Sequence, residues 1–197
     1  DFFDDAFDFG IYPSAGEIAI RLLADRADIL SRLKRKIATR LKDRIYGWDE
    51  TPLSVVIGKI LKRKKQTLAV AESCTGGFLA SRITACSGAS VYFRGGVVAY
   101  HAKVKANLGV PEKLIREHGE VSAQVATQLA KSVRIRTGSS FGIGITGVAG
   151  PGGGSPKKPV GLVYIGLAAP DGTVRAWKHI FWGERHQIQD KAATKAL

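Results

Sequence analysis

The stretch Thr67–Gly77, TLAVAESCTGG, decides how this chain folds. Its first five residues suit a buried strand, because they are apolar or β-branched with little polar interruption. Glu-Ser-Cys-Thr and two glycines follow. A strand rarely ends that way unless the backbone must turn sharply and present something at its tip. A helical pattern then runs from about Thr75 to Ala85, which makes the stretch a strand–turn–helix unit.

Such units recur towards the C-terminus. Gly95–Tyr100 reads as a strand, then basic and polar residues, then a short helix near Glu112–His118. Ser122 is a plausible cap for a helix running to about Arg136. Phe141–Thr146 is a strand that enters a glycine-proline loop, Gly147–Pro159. Val160–Ala168 and Val174–Phe181, joined by the turn Pro170–Gly172, form a hairpin, and a last helix covers Ile188–Leu197. This alternation predicts an α/β fold: a three-layer α/β/α sandwich around a mixed, mostly parallel sheet with one antiparallel strand. Ligands bind such sheets outside the carboxyl ends of their strands. Both unusual segments, ESCTGG and GVAGPGGGSPKKP, fall at such ends.

The first fifty residues read differently. Glu17–Leu23 alternates as a strand does, and Leu30, Leu33, Ile37, Leu41 and Ile45 make the stripe of a long helix. One strand and one helix do not close a core. Residues 1–50 are therefore a small, partial α+β module, and residues 51–197 the main domain. Between them, GWDETP (Gly47–Pro52) punctuates the chain, and Leu53, Val56, Ile57, Ile60 and Leu61 begin a further helix ending in basic residues Lys62–Lys65.

The totals limit the choice of function. A 197-residue chain that is 45% hydrophobic is globular, and no apolar run approaches the ~18–20 residues of a membrane helix. No signal peptide stands at the start, and Cys74 and Cys86 are too few for a disulfide scaffold, so a cytoplasmic protein is expected. Starting at Asp1 and stopping inside a helical pattern, it reads as a piece of a longer protein. Four scattered histidines lack metal-ligand spacing, so neither metal nor cofactor is expected. The net charge of +13 suits an anionic partner, but it is spread over both parts: 14 Lys/Arg against 10 Asp/Glu up to residue 66, and 16 against 7 beyond. Solvated helix faces account for most of it.

Three motifs invite a chemical reading, and two of them keep it. GIGITG (Gly142–Gly147) has dinucleotide-fingerprint spacing, but its glycines sit inside a strand and lead into no helix, so close backbone approach is the better reading. The loop AGPGGGSPKKPVG combines stiff prolines with bare glycine amides, which makes a shaped, anion-friendly segment. AESCTGG offers two nucleophiles. Either Ser73 merely caps the next helix with Cys74 buried, or one of them attacks a carbonyl that the amides of Thr75, Gly76 and Gly77 receive. No histidine is placed to complete a Ser-His-Asp triad, which leaves lysine-activated serine, or a Cys74 nucleophile with His101 beside Tyr100.

AESCTGG, GGVVAY (Gly95–Tyr100), GEVS (Gly119–Ser122) and TGVAGPGGG…KPVG (Thr146–Gly161) occur in this order. Together they resemble the C-terminal domain of the CinA family of competence/damage-inducible proteins, the nicotinamide mononucleotide deamidases. The segment YPSAGEIAIRL…RIYG resembles the KH-type module that precedes that domain in full-length members; residues 1–50 lack the G-x-x-G loop with which KH modules grip nucleic acid. Full-length members also carry an N-terminal molybdopterin-binding-like domain, linked to ADP-ribose pyrophosphatase activity. The resemblance implies hydrolysis of the carboxamide of nicotinamide mononucleotide to nicotinate mononucleotide and ammonia. It makes Ser73 the nucleophile, with Tyr100 and Lys105 as partners. It places the substrate against Cys74, Thr75, Gly76, Gly77, Thr146, Gly147 and Gly150, with Arg185 near the phosphate. The family pattern has four residues between the lysine and the following GV, whereas YHAKVKANLGV has three after Lys105; Lys103 is the other reading. The expected partners are the small nucleotide substrate and a second copy in a homodimer, not nucleic acid or membrane. The competing reading is a non-catalytic module that binds a nucleotide or nucleic acid.

Overall fold

The structure, a computed structural model, describes residues 7–197. Two compact units share the chain, Asp1–Leu53 and Ser54–Leu197.

In the first unit, β1 (Asp8–Ser14) and β2 (Glu17–Leu23) pair antiparallel from Asp8–Leu23 to Ser14–Glu17. Helix α1 (Ala27–Leu41) follows and buries Ile29 and Leu33, and a 3-10 turn, Lys42–Arg44, ends it. The strand over Glu17–Leu23 is as expected. Its partner β1 was not anticipated: Pro13 argues against a strand, yet a two-stranded ribbon has only edges, where a missing N–H costs little.

The second unit starts with α2 (Leu53–Arg63). Then come β3 (Leu68–Glu72), α3 (Phe78–Thr84), β4 (Phe93–Val98), α4 (Ala102–Leu108), α5 (Glu112–His118) and α6 (Ala123–Thr137). Strands β5 (Phe141–Gly147), β6 (Leu162–Ala168) and β7 (Val174–Ile180) and helix α7 (Arg185–Ala196) complete it. The sheet order is β4-β3-β5-β6-β7. Strands β4, β3 and β5 run parallel; β6 is antiparallel to both its neighbours, so β7 runs with the first three. Four strands share a direction and one opposes them, as the sequence predicts.

Alternation along β3 builds the layers. Leu68 and Val70 join Leu61 of α2, Leu79 and Ile83 of α3 and Ile188 of α7 on one face. Ala69 and Ala71 join Leu108 of α4 and Val125, Leu129 and Val133 of α6 on the other. The glycines of GIGITG explain themselves here: a Cβ at Gly142 or Gly144, or at Gly166 of β6, would collide with the carbonyls of Ala130 or Ala126 in α6. Bare strand positions let the helix backbone sit on the sheet.

Two elements depart from expectation. Helix α3 begins at Phe78, not near Thr75, so residues 73–77 form an irregular bend. Helix α4 stands where the sequence predicts only a basic and polar connection; a lysine at its inward position hides the apolar stripe.

Candidate active site

Ser73 follows the last residue of β3. Its N–H donates to Ile145 O of β5 at 2.9 Å, while Ala99 N–H, beyond β4, donates to Glu72 O at 2.7 Å. The bend thus opens between β4 and β5, on either side of the first strand of the domain, where a doubly wound sheet forms its crevice. Tyr100 beyond β4, Thr146 in β5 and Arg185 beyond β7 come from strand ends pointing the same way.

Ser73 does not cap α3. Glu72 does: its carboxylate accepts N–H bonds from Gly77 (3.1 Å), Leu79 (3.1 Å) and Ala80 (2.8 Å), and it is fully buried. A capping residue so far upstream requires the chain to loop back on itself, and the bend does this with Gly76 and Gly77 at φ of 61° and 104°. The Ser73 hydroxyl, relieved of capping, makes no hydrogen bond among the described residues.

The amides of the bend are divided. Gly77 N–H goes to Glu72, and Gly76 N–H donates to Ser73 O at 3.1 Å. The N–H of Thr75 has no partner among the described residues, and that of Cys74 meets only its own thiol. Of the three amides expected to receive an oxyanion, only that of Thr75 is therefore uncommitted, and Cys74 supplies the second. Gln189 of α7, which sequence reasoning missed, donates from Nε2 to Cys74 O at 2.8 Å.

Lys105 is 1% exposed. Its Nζ donates to Tyr100 O at 2.9 Å and to Glu120 Oε2 at 2.8 Å, an ion pair whose carboxylate is 45% exposed. Lys103 is exposed, so of the two lysines only Lys105 is directed into the domain. Tyr100 holds Lys105 through its carbonyl, while its hydroxyl accepts from Arg185 Nη2 at 2.9 Å. Arg185 Nη1 donates to Gly150 O at 2.7 Å, which ties down the glycine loop. Thr146 Oγ1 donates to Glu120 O at 2.8 Å, and Gly147 is packed against Leu162 and Val163 of β6. Glu120 lies in the GEVS motif, and nothing but the fold could pair it with a lysine fifteen residues earlier.

Burial pushes the Cys74 thiol up to about 12, and the nearby charge of Glu72 adds to this, against opposing effects of the backbone, Lys105 and Arg185. A thiol so held is neutral and a poor nucleophile. His101 is also engaged elsewhere, its Nδ1 accepting from Lys103 N at 3.2 Å as the cap of α4. Among the described residues no group of His, Cys, Asp and Glu side chains is arranged to hold a metal ion, and no helix is long and apolar enough to cross a membrane. An apolar cavity of about 490 Å³ opens elsewhere, among Ile57, Phe141, Ile165, Trp177 and Leu197, and no site residue lines it.

The family model of the CinA C-terminal domain matches residues 50–197. The chain belongs to the CinA family. CinA-like proteins of Desulfotalea psychrophila and Microcystis aeruginosa are 42% and 45% identical to it, over 95% and 90% of its length. They are matched over only 47% and 44% of their own length, so the chain spans less than half of these curated CinA relatives. Among solved CinA-family structures, the competence/damage inducible protein CihA of Agrobacterium tumefaciens superposes with a TM-score of 0.72 at 33% identity, covering 76% of this chain and 94% of that one. The competence damage-inducible protein A of Klebsiella pneumoniae gives 0.71 at 28% identity, covering 73% and 89%.

Proposed function

We propose that this CinA domain is an amidohydrolase that converts nicotinamide mononucleotide and water to nicotinate mononucleotide and ammonia by serine acyl transfer, as a step of pyridine nucleotide salvage. The observation that carries the reading is the bend after β3: a serine hydroxyl without a partner beside two amides that no other described residue engages, with a buried lysine at the same end of the sheet. In the reaction Lys105, once deprotonated, takes the Ser73 proton as Oγ bonds to the amide carbon. The Cys74 and Thr75 amides receive the oxyanion, and the protonated lysine delivers its proton to the departing nitrogen as the C–N bond breaks. Water then attacks the ester with Lys105 as base, which restores Ser73 and releases the carboxylate. Glu120 and the Tyr100 carbonyl position the lysine. Arg185, half released from Gly150 and Tyr100, has the charge and reach to meet the substrate phosphate.

The test is ammonia release from nicotinamide mononucleotide by the protein and by Ser73→Ala. Turnover by the parent and its loss in the variant, with an unchanged circular dichroism spectrum, is the expected result. A parent that binds the nucleotide without releasing ammonia would leave the binding-module reading in possession.

A further inference from the structure

The bend offers two amides to an oxyanion, and something must hold them in place. A peptide unit is planar and trans, so its C=O and N–H point in opposite directions, and fixing one aims the other. The Ser73–Cys74 unit is fixed within the bend, by Gly76 N–H on the Ser73 carbonyl. The Cys74–Thr75 unit is fixed from outside, by Gln189 on the Cys74 carbonyl at 2.8 Å. The same peptide carries the Thr75 N–H, which has no partner among the described residues. Thr75 Oγ1 is likewise buried without a hydrogen-bond partner, as few buried polar groups are.

We infer that Gln189 is a positioning residue: it locks the Cys74–Thr75 peptide so that the Thr75 amide, with that of Cys74, faces the oxyanion formed on attack by Ser73. The inference rests on the acyl-transfer reading above, though not on which amide is the substrate. Gln189 touches no reacting atom; it acts through one carbonyl. Helix α7 supplies it, and α7 is itself anchored to α3 by Arg82, which bonds Asp190 and Thr194. The donor therefore comes from a rigid element rather than a loop. Ground-state binding needs none of this, because a neutral carboxamide oxygen gains little from an aimed amide that an oxyanion gains in full.

The experiment compares the parent with Gln189→Met, which keeps the length and loses the donor, and Gln189→Glu, which keeps the shape and sets an acceptor against the Cys74 carbonyl. On nicotinamide mononucleotide, kcat falls about 10- to 100-fold in Gln189→Met, and further in Gln189→Glu, with KM within about twofold. A residue needed only for its shape would give the opposite order, Glu above Met, and that order overturns the inference. A second measurement does not depend on the substrate: the rate at which a fluorophosphonate phosphonylates Ser73. Ser73 Oγ bonds to phosphorus, fluoride leaves with the serine proton, and the phosphoryl oxygen occupies the oxyanion position. Labelling slows in both variants by a factor comparable to the fall in kcat. Equal labelling of parent and variants, or a parent that is not labelled at Ser73, overturns the inference. Normal labelling without ammonia release overturns the substrate assignment alone.

Discussion

At the residue scale, the position that separates function from architecture is Lys105. A lysine almost wholly withdrawn from water, on the inward side of α4 beside Leu108, is costly even when paired. Replacing it with an apolar side chain of similar length removes that cost but leaves the Tyr100 carbonyl and the half-exposed Glu120 carboxylate without their donor. Lys105→Met should therefore lose about 1–3 kcal/mol of stability yet stay folded, and release no ammonia, while exposed Lys103→Ala keeps activity; denaturant titration and turnover on the same samples check both. Cys74 has a pH signature. The folded protein keeps its proton to about pH 12, whereas a free thiol loses it near 9.0. Above that lower value the unfolded state binds fewer protons, so stability falls as pH rises towards 12, by at most about 1.4 kcal/mol per pH unit. Cys74→Ala should flatten this decline and retain most of its activity. A variant that is inactive at neutral pH would restore the thiol as nucleophile.

At the element scale, the joint between β3 and α3 depends on Glu72. One buried carboxylate satisfies three backbone N–H groups, and bonds to a charged acceptor contribute about 1.5–3 kcal/mol each when measured singly. Glu72→Gln keeps the volume but turns one accepting end into a donor facing N–H groups. A loss of about 2–4 kcal/mol of stability is expected, read as a lower denaturation midpoint, together with slower turnover, because the same bend carries Ser73. Unchanged stability would show that the helix start is held by other means. The sequence showed that a turn exists here but not which residue holds it. Ser73 is a standard cap by type and spacing, and the upstream glutamate wins only because two left-handed glycines fold the chain back over it.

At the scale of the whole molecule, every residue of the candidate site, from Glu72 to Gln189, lies in the unit Ser54–Leu197. If the chain has the proposed deamidase activity, a protein lacking residues 1–50 should therefore keep most of it, with kcat within about threefold of the parent. A truncated form that folds but does not turn over substrate would mean that the first module completes the site. The sandwich was legible in advance because buried strands, capped helices and glycine turns are local signals: β3, α5, α6 and the β6–β7 hairpin fall within a few residues of their expected bounds. Helix α4 was not, because the residue on its inward face is a lysine, and a charged side chain at the core position erases the apolar stripe by which a helix is recognised. The sequence by itself determined the layered fold and the strand-end placement of AESCTGG, and its resemblance to the CinA family singled out Ser73, Tyr100 and Lys105. Tertiary structure alone decided that Lys105 meets Glu120, that Tyr100 reaches Arg185 with its hydroxyl, and that Gln189 holds the Cys74 carbonyl. Those partners lie 15, 85 and 115 residues apart. Local propensity and periodicity carry no information across such separations; only the packing of the sheet brings the groups within hydrogen-bonding distance.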